Sequence, residues 1–315
     1  MHVIFDESRP ELRGISEYYN HQLLIQLGRL ERERVEAVLK SKKTAKLVLK
    51  IGGAATIISC FIFNPAVAFV TGFILTGIIA LLVRAFQSNK AYYDASLFLS
   101  EKLCRFVGWK YRRDPVKVPN LAVFTQLGLL TRDKDRISLE DQILGRRNGR
   151  KFHYIECHIE SRHEREDDEG NIEVYWVTEF KGALLQTKFT REFLGKLVVL
   201  NDSDYFIGWQ DRMKRVGLED PVFEKIFEAY GNDQVEARYI LTPTFMQKLV
   251  DMSQKISRDF VRLGFYNNQV FATIYNADRF EIAGTKAKIT DGDQVMKTMG
   301  DIEDIFTIMD AIVDD

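Results

Sequence analysis

The sequence predicts an α+β chain: an N-terminal helix and a two-helix transmembrane hairpin, followed by a mixed, largely antiparallel α+β cytoplasmic domain. Three observations carry that prediction. Residues 51–83 hold no charged side chain, a run well beyond the roughly 18 apolar residues that signal a spanning helix. Asn64-Pro65 interrupts the run near its centre, where proline removes a backbone donor and restricts the residue before it, favouring a turn. From about residue 115 onward, alternating strands and short helices follow one another without a regular β-α-β order, which suits α+β better than a doubly wound parallel sheet.

The first element is an amphipathic helix over residues 1–46, best formed at 11–46. Leu23, Leu24, Leu27, Leu30, Val35, Val38 and Leu39 make its apolar stripe, and Arg29, Glu31, Arg32, Glu33, Arg34 and Glu36 its charged face. The hairpin follows over 47–83, with spans at Leu47–Phe63 and Ala66–Val83. Each reaches roughly 25 Å at about 1.5 Å per residue, slightly short of an average hydrocarbon core. Gly52, Gly53, Ala54 and Ala55 on one span and Gly72 and Gly77 on the other let the two backbones approach. Lys42, Lys43, Lys46 and Lys50 precede the run and Arg84 and Lys90 follow it, so both flanks are expected in the cytoplasm. A buried hairpin in a soluble core is the plainer alternative. A juxtamembrane helix then occupies 84–114, with Tyr92, Tyr93, Leu97, Phe98, Leu99, Leu103, Phe106 and Val107 on its stripe. Arg113-Asp114-Pro115 is expected to end it; Trp109, Tyr111, Arg112 and Arg113 suit lipid headgroups but lie too far from Val83 to need the membrane.

The domain over 115–315 opens with connecting structure to residue 150, including a short helix near Phe124–Leu130 and an Asn148-Gly149 turn. Lys151–Ser161 and Ile172–Phe180 alternate and flank a charged turn at His163–Asn171, which predicts a hairpin. Ala183–Phe189 continues it or adds a third strand, and Lys196–Leu200 is a short buried strand. Asp220-Pro221 is expected to open a helix. Val235–Leu241 alternates as a strand, and Thr242-Pro243 caps a helix to about Ile256. Val261–Tyr266 and Gln269–Tyr275 form a hairpin around Asn267-Asn268. An acidic amphipathic helix, Asp301–Val313, ends the chain with Ile302, Ile305, Phe306, Met309, Ile312 and Val313 on one face. Docking on its own domain is the plainer expectation for that face.

Composition narrows the chemistry. With 44 basic against 45 acidic residues, net charge gives no argument for nucleic acid as a partner. Cys60, Cys104 and Cys157 are odd in number and far apart, which fits a reducing compartment rather than a disulfide framework. The N-terminus lacks a basic segment followed by an apolar core, so no cleaved signal peptide is expected. His153, Cys157, His158 and His163 lie close in sequence, but a strand puts only His153 and Cys157 on one face, fewer ligands than a zinc site needs. No metal or cofactor is expected. Nor is there a Gly-x-Ser-x-Gly elbow or a phosphate-binding glycine loop. The best polar constellation is Asp233, Gln234, Glu236 and Arg238 beside Tyr230. These residues either contact a ligand or partner at a strand edge, or form a turn followed by an exposed Glu236–Arg238 pair.

The stretch Phe223–Leu241, followed by Thr242-Pro243-Thr244-Phe245-Met246, resembles a bacterial membrane-protein family catalogued as domain of unknown function 3137. Glu179-Phe180-Lys181-Gly182-Ala183 and Glu140-Asp141-Gln142-Ile143-Leu144-Gly145 add to the likeness, which spans about residues 10–285. The resemblance implies an N-terminal helix, two closely spaced membrane spans and a cytoplasmic-looking α+β domain. It brings no activity and no catalytic residues. It implies a possible LemA-like membrane protein as partner.

The resulting expectation is a membrane-anchored cytoplasmic binding or scaffold protein, acting through protein or ligand binding, with self-association or another membrane protein as its partner. The alternatives are a membrane-tethered enzyme with an unrecognised site and a structural role in envelope organisation.

Overall fold

A computed structural model describes residues 3–62, 65–166, 170–201, 213–256, 261–275, 279–280, 288, 290 and 292–313. The chain divides into two contact units. One comprises Met1–Ser100 with Glu281–Thr298, the other Glu101–Phe280 with Met299–Asp315.

The first unit is helical. A short helix α1 (Ile15–Tyr18) passes through a π-helical turn at Tyr19–Leu23 into α2 (Leu24–Ile62), and α3 runs from Pro65 to Phe106. Proline opens α3 at a position where its missing N–H costs nothing; Asn64 of the expected turn lies outside the described residues. The two long helices meet through small residues. A Cβ at Gly52 would collide with the Thr76 side chain, and one at Gly72 with that of Thr56. Each glycine therefore receives a threonine from the opposite helix. Thr56 also donates to the Gly52 carbonyl at 2.8 Å, which satisfies its hydroxyl inside the contact. Outward-facing residues are apolar: Ile57, Ile58, Phe61, Phe73, Leu75, Leu81 and Leu82 are all exposed. Among the described residues no helix is long and apolar enough to cross a membrane.

The second unit is a nine-stranded sheet, ordered β1-β2-β3-β4-β9-β8-β5-β7-β6, with every neighbouring pair antiparallel. Its strands are β1 (Lys110–Arg112), β2 (Arg136–Arg147), β3 (Arg150–Glu166), β4 (Ile172–Lys188), β5 (Lys196–Asn201), β6 (Lys214–Arg215), β7 (Phe227–Gly231), β8 (Val261–Tyr266) and β9 (Gln269–Tyr275). One face carries Ile155, Cys157, Ile159, Phe180, Leu184, Val198, Leu200 and Phe271. Helix α4 (Leu121–Gln126) and the turn after it cover that face with Phe124, Leu127, Leu129 and Leu130. The other face meets two helices. Phe245 of α6 (Pro243–Lys255) joins Phe189, Phe193 and Phe265 in an aromatic cluster, and Phe306 of α7 (Gly292–Val313) packs on Trp109 at 4.6 Å. Outside the core, β3 and β4 extend as a two-stranded arm on which Val174, Tyr175 and Trp176 stay exposed.

Several expectations hold. Thr242 caps α6, accepting from Phe245. The β8–β9 turn places Asn267 and Asn268 at φ of 51° and 57°, the left-handed values an Asn-Asn hairpin turn requires. Docking of the C-terminal helix on its own domain is also seen, with Ile302, Ile305, Phe306, Met309, Ile312 and Val313 all buried.

Others need correction. Residues 136–147, read as connecting structure, form strand β2, whose alternation is broken by a bulge between Glu140 and Ile143. The charged turn expected at His163–Asn171 is strand up to Glu166 and again from Ile172. The helix ends at Phe106 rather than at Arg113-Asp114-Pro115. Gly108 takes φ 79°, and Trp109 donates back to the Cys104 carbonyl at 2.7 Å, the left-handed glycine termination common at helix ends. Trp109 and Tyr111 are buried in the sheet unit rather than facing lipid. Asp220-Pro221 opens a single turn and no helix: Asp220 accepts from Val222 and Phe223, and β7 begins at Phe227. Val235–Leu241, read as a strand, is instead helix α5 (Gln234–Ile240).

Candidate functional site

The five residues singled out from sequence cluster around the start of α5, and the cap explains why that segment is helical. Asp233 has extended dihedrals, and its carboxylate accepts from the backbone N–H groups of Val235 (2.8 Å) and Glu236 (3.0 Å), satisfying donors that a helix start leaves open. Glu236 reaches away from its own helix and accepts from Leu194 (3.1 Å) and Gly195 (2.5 Å). Arg238 donates to the carbonyls of Gln234 (3.1 Å) and Gly217 (3.3 Å), and Gln234 to that of Arg215 (3.4 Å). Tyr230, on β7, donates to Glu228 at 2.7 Å. The structure thus brings Asp233, Gln234, Glu236 and Arg238 together on one short helix, where they bond backbone. In place of the expected exposed Glu236–Arg238 pair, the two side chains bond separate segments, the entry to β5 and the stretch after β6.

A different concave site escaped the sequence. A cleft of about 930 Å³ lies at the end of the sheet where β2 turns into β3. The Asn148-Gly149 turn, with φ of 47° and 77°, sets the register in which Leu144 stands opposite His153 and Arg146 opposite Lys151. His153 stands in turn opposite Gln186 on β4, and Leu144 opposite Lys110 on β1. Lys117, Arg150, Lys188 and Gln269 complete the polar lining. His153 shares a hydrogen bond of 2.8 Å with Gln142. Burial, and secondarily the Lys117 charge, hold its pKa below the usual histidine value, so the ring is mostly neutral near pH 7.

A third polar group lies largely inside the sheet unit, with Asp304 at its exposed edge. Asp141 sits in the β2 bulge with φ 51° and accepts from the Tyr111 hydroxyl; bulges re-aim side chains in this way. Glu156 accepts from the Tyr154 hydroxyl (3.2 Å) and the Arg279 backbone N–H (2.9 Å). The Arg279 guanidinium reaches Asp304 at 3.1 Å, and Phe280 N–H donates to Asp301 at 2.8 Å. Burial pushes the Cys104 thiol up, and Asp141 and Asp301 push it further. Burial raises Cys157 to about 12. Both thiols therefore stay protonated and are poor nucleophiles.

The histidines considered for metal diverge. His158 bonds Thr178 (3.0 Å), His163 bonds Ser161 (2.8 Å) and stacks on Tyr175, and Cys157 lies in the core. Among the described residues no group of three or more potential ligands stands in metal-binding geometry.

Comparison with known proteins adds a family. No curated protein matches the chain. Among solved structures, the mycobacterial trehalose monomycolate transport factor A, TtfA, is similar at 8% identity and a TM-score of 0.36, over 69% of this chain and 96% of that one. The family described as a protein of unknown function, DUF3137, matches residues 178–313. The match starts where β4 leaves the exposed arm and enters the sheet. It runs through the C-terminal helix, which the sequence resemblance had left outside, and it does not include Glu140–Gly145. Residues 178–313, less than half of the chain, thus carry its similarity to the DUF3137 family.

Proposed function

We propose that this protein is a binding or scaffold protein held at a bacterial inner membrane by the α2–α3 hairpin, with its sheet unit and both termini in the cytoplasm. The observation that carries the reading is the inverted pattern of the hairpin. Small residues and threonines fill the helix–helix contact, while Phe61 (87% exposed), Phe73 (70%) and Leu81 (67%) point outward. Helices that pack in lipid use small residues at the contact and leave large apolar ones outside, and a monomer in water rarely exposes so much apolar surface. Lys42, Lys43, Lys46 and Lys50 are exposed on the approach to this belt, in keeping with a cytoplasmic flank. The partner is a second copy or another membrane protein, with a LemA-like protein as the specific candidate. A membrane-tethered enzyme remains the alternative reading; protonated Cys104 and Cys157 give it no thiol nucleophile.

Alkaline carbonate extraction of cells expressing the full chain tests the anchor. The protein is expected in the membrane pellet, and a Phe73→Lys, Leu75→Lys variant in the supernatant. Release of the unaltered chain into the supernatant refutes the anchor.

A further inference from the structure

We propose that the cleft at the β2–β3 turn binds an anion of the phosphate-bearing class. This deepens the binding half of the function proposed above and does not depend on the anchor.

The charge of the site is the first argument. Six cations, Lys110, Lys117, Arg146, Arg150, Lys151 and Lys188, line it, and among the described residues no acidic side chain does. They come from a chain that is nearly neutral as a whole, so the asymmetry is local. None of the six forms an ion pair with a described residue; Arg150 donates to the Phe189 carbonyl at 3.1 Å. The same hairpin neutralises a cation elsewhere: Arg147 forms a bidentate pair with Asp310, one bond of which measures 2.9 Å.

The register is the second argument. Arg146 stands directly opposite Lys151, and Lys188 follows Thr187, which stands opposite Phe152. Three cations therefore sit side by side on adjacent strands, roughly 5 Å apart in the strand-to-strand direction. Like charges directly opposed destabilise a sheet, and the sheet carries that cost where a bound anion would remove it.

Shape is the third. About 930 Å³ falls in the size range of small-molecule sites. His153, Gln186 and Gln269 add neutral hydrogen-bonding groups among the charges, and Leu144 and Phe152 supply apolar wall. Phosphate offers several acceptor oxygens to such a set, and arginine matches its geometry with two parallel bonds. One chemistry has two sources here, a soluble phosphorylated compound or the headgroup of an anionic phospholipid.

Isothermal titration of the full chain in non-ionic detergent distinguishes them. The probes are inorganic pyrophosphate, short-chain phosphatidylglycerol and, as the zwitterionic control, short-chain phosphatidylcholine. Saturable binding of pyrophosphate, weakened at least about tenfold in an Arg146→Ser, Lys151→Ser variant and by added salt, assigns a soluble ligand. Binding of phosphatidylglycerol alone, with the same loss in the variant, assigns a headgroup. The variant is expected to melt no lower than the parent, because it relieves repulsion, and Lys225→Ser, outside the cleft, is expected to bind as the parent does. Three outcomes overturn the proposal: no binding of either anion, binding that the double variant leaves unchanged, or equal binding of phosphatidylcholine. Since insertion into a bilayer is not needed for any of these readings, failure here leaves the anchor standing, and failure of the anchor leaves this result standing.

Discussion

At the scale of single residues, the polar side chains around α5 are occupied in holding backbone. Glu236 is the clearest case, since one carboxylate accepts from two successive N–H groups at the entry to β5. Glu236→Ala takes away both acceptors, and solvent reaches only part of the space. The expected loss is about 1 kcal/mol, read by urea unfolding, together with faster amide exchange at Leu194 and Gly195. Unchanged exchange there would mean that the latch contributes nothing. The residue types were conspicuous in sequence, and their position after an Asn-Asp pair was informative. Asp233 with Glu236 three residues on is the signature of a helix start. The alternation Val235, Ala237, Tyr239, Leu241 obscured it, and the structure shows why that alternation misleads: Val235 and Tyr239 are exposed, whereas Ala237 and Leu241 are buried together with Ile240.

At the scale of elements, the legible parts were those with strong local chemistry. The α6 cap, the Asn-Gly and Asn-Asn turns and the buried run of β5 were all set by neighbouring residues. Strand β2 was not, because its bulge places Asp141 inside the sheet unit and breaks the period of two. The basic cleft was not legible either. Its cations come from β1, the segment before α4, β2, β3 and β4, and only the sheet register collects them. For the helical hairpin, the expectation of close approach at Gly52 and Gly72 is refined by the finding that each receives a threonine. Gly52→Val drives a branched side chain into Thr76, with an expected cost of about 1–3 kcal/mol. Gly53→Val, where an added Cβ meets nothing within 4 Å, is expected to cost less. Thermal unfolding of the two variants separates them, and equal melting temperatures would contradict the observed helix contact.

At the scale of the whole molecule, the sheet unit is closed by long-range contacts. Phe306 lies on Trp109, and Arg147 holds Asp310 with its guanidinium 4.7 Å from the Phe306 ring centre. Removing the ring in Phe306→Ala is expected to cost about 3–5 kcal/mol, measured as a fall in the denaturant midpoint. A loss below 1 kcal/mol would mean that this side of the sheet does not depend on α7.

That pairing also sets an order of events during synthesis. Trp109 and Phe152 leave the ribosome long before Phe306 exists, so the apolar patch they form waits uncovered while the intervening strands are made. Contacts this distant in sequence close late and slowly, and a nascent chain halted before α7 presents that patch to chaperones and proteases. The hairpin of α2 and α3, made of neighbours in sequence, has no such delay. The α2–α3 pair is therefore complete while the sheet is still being written.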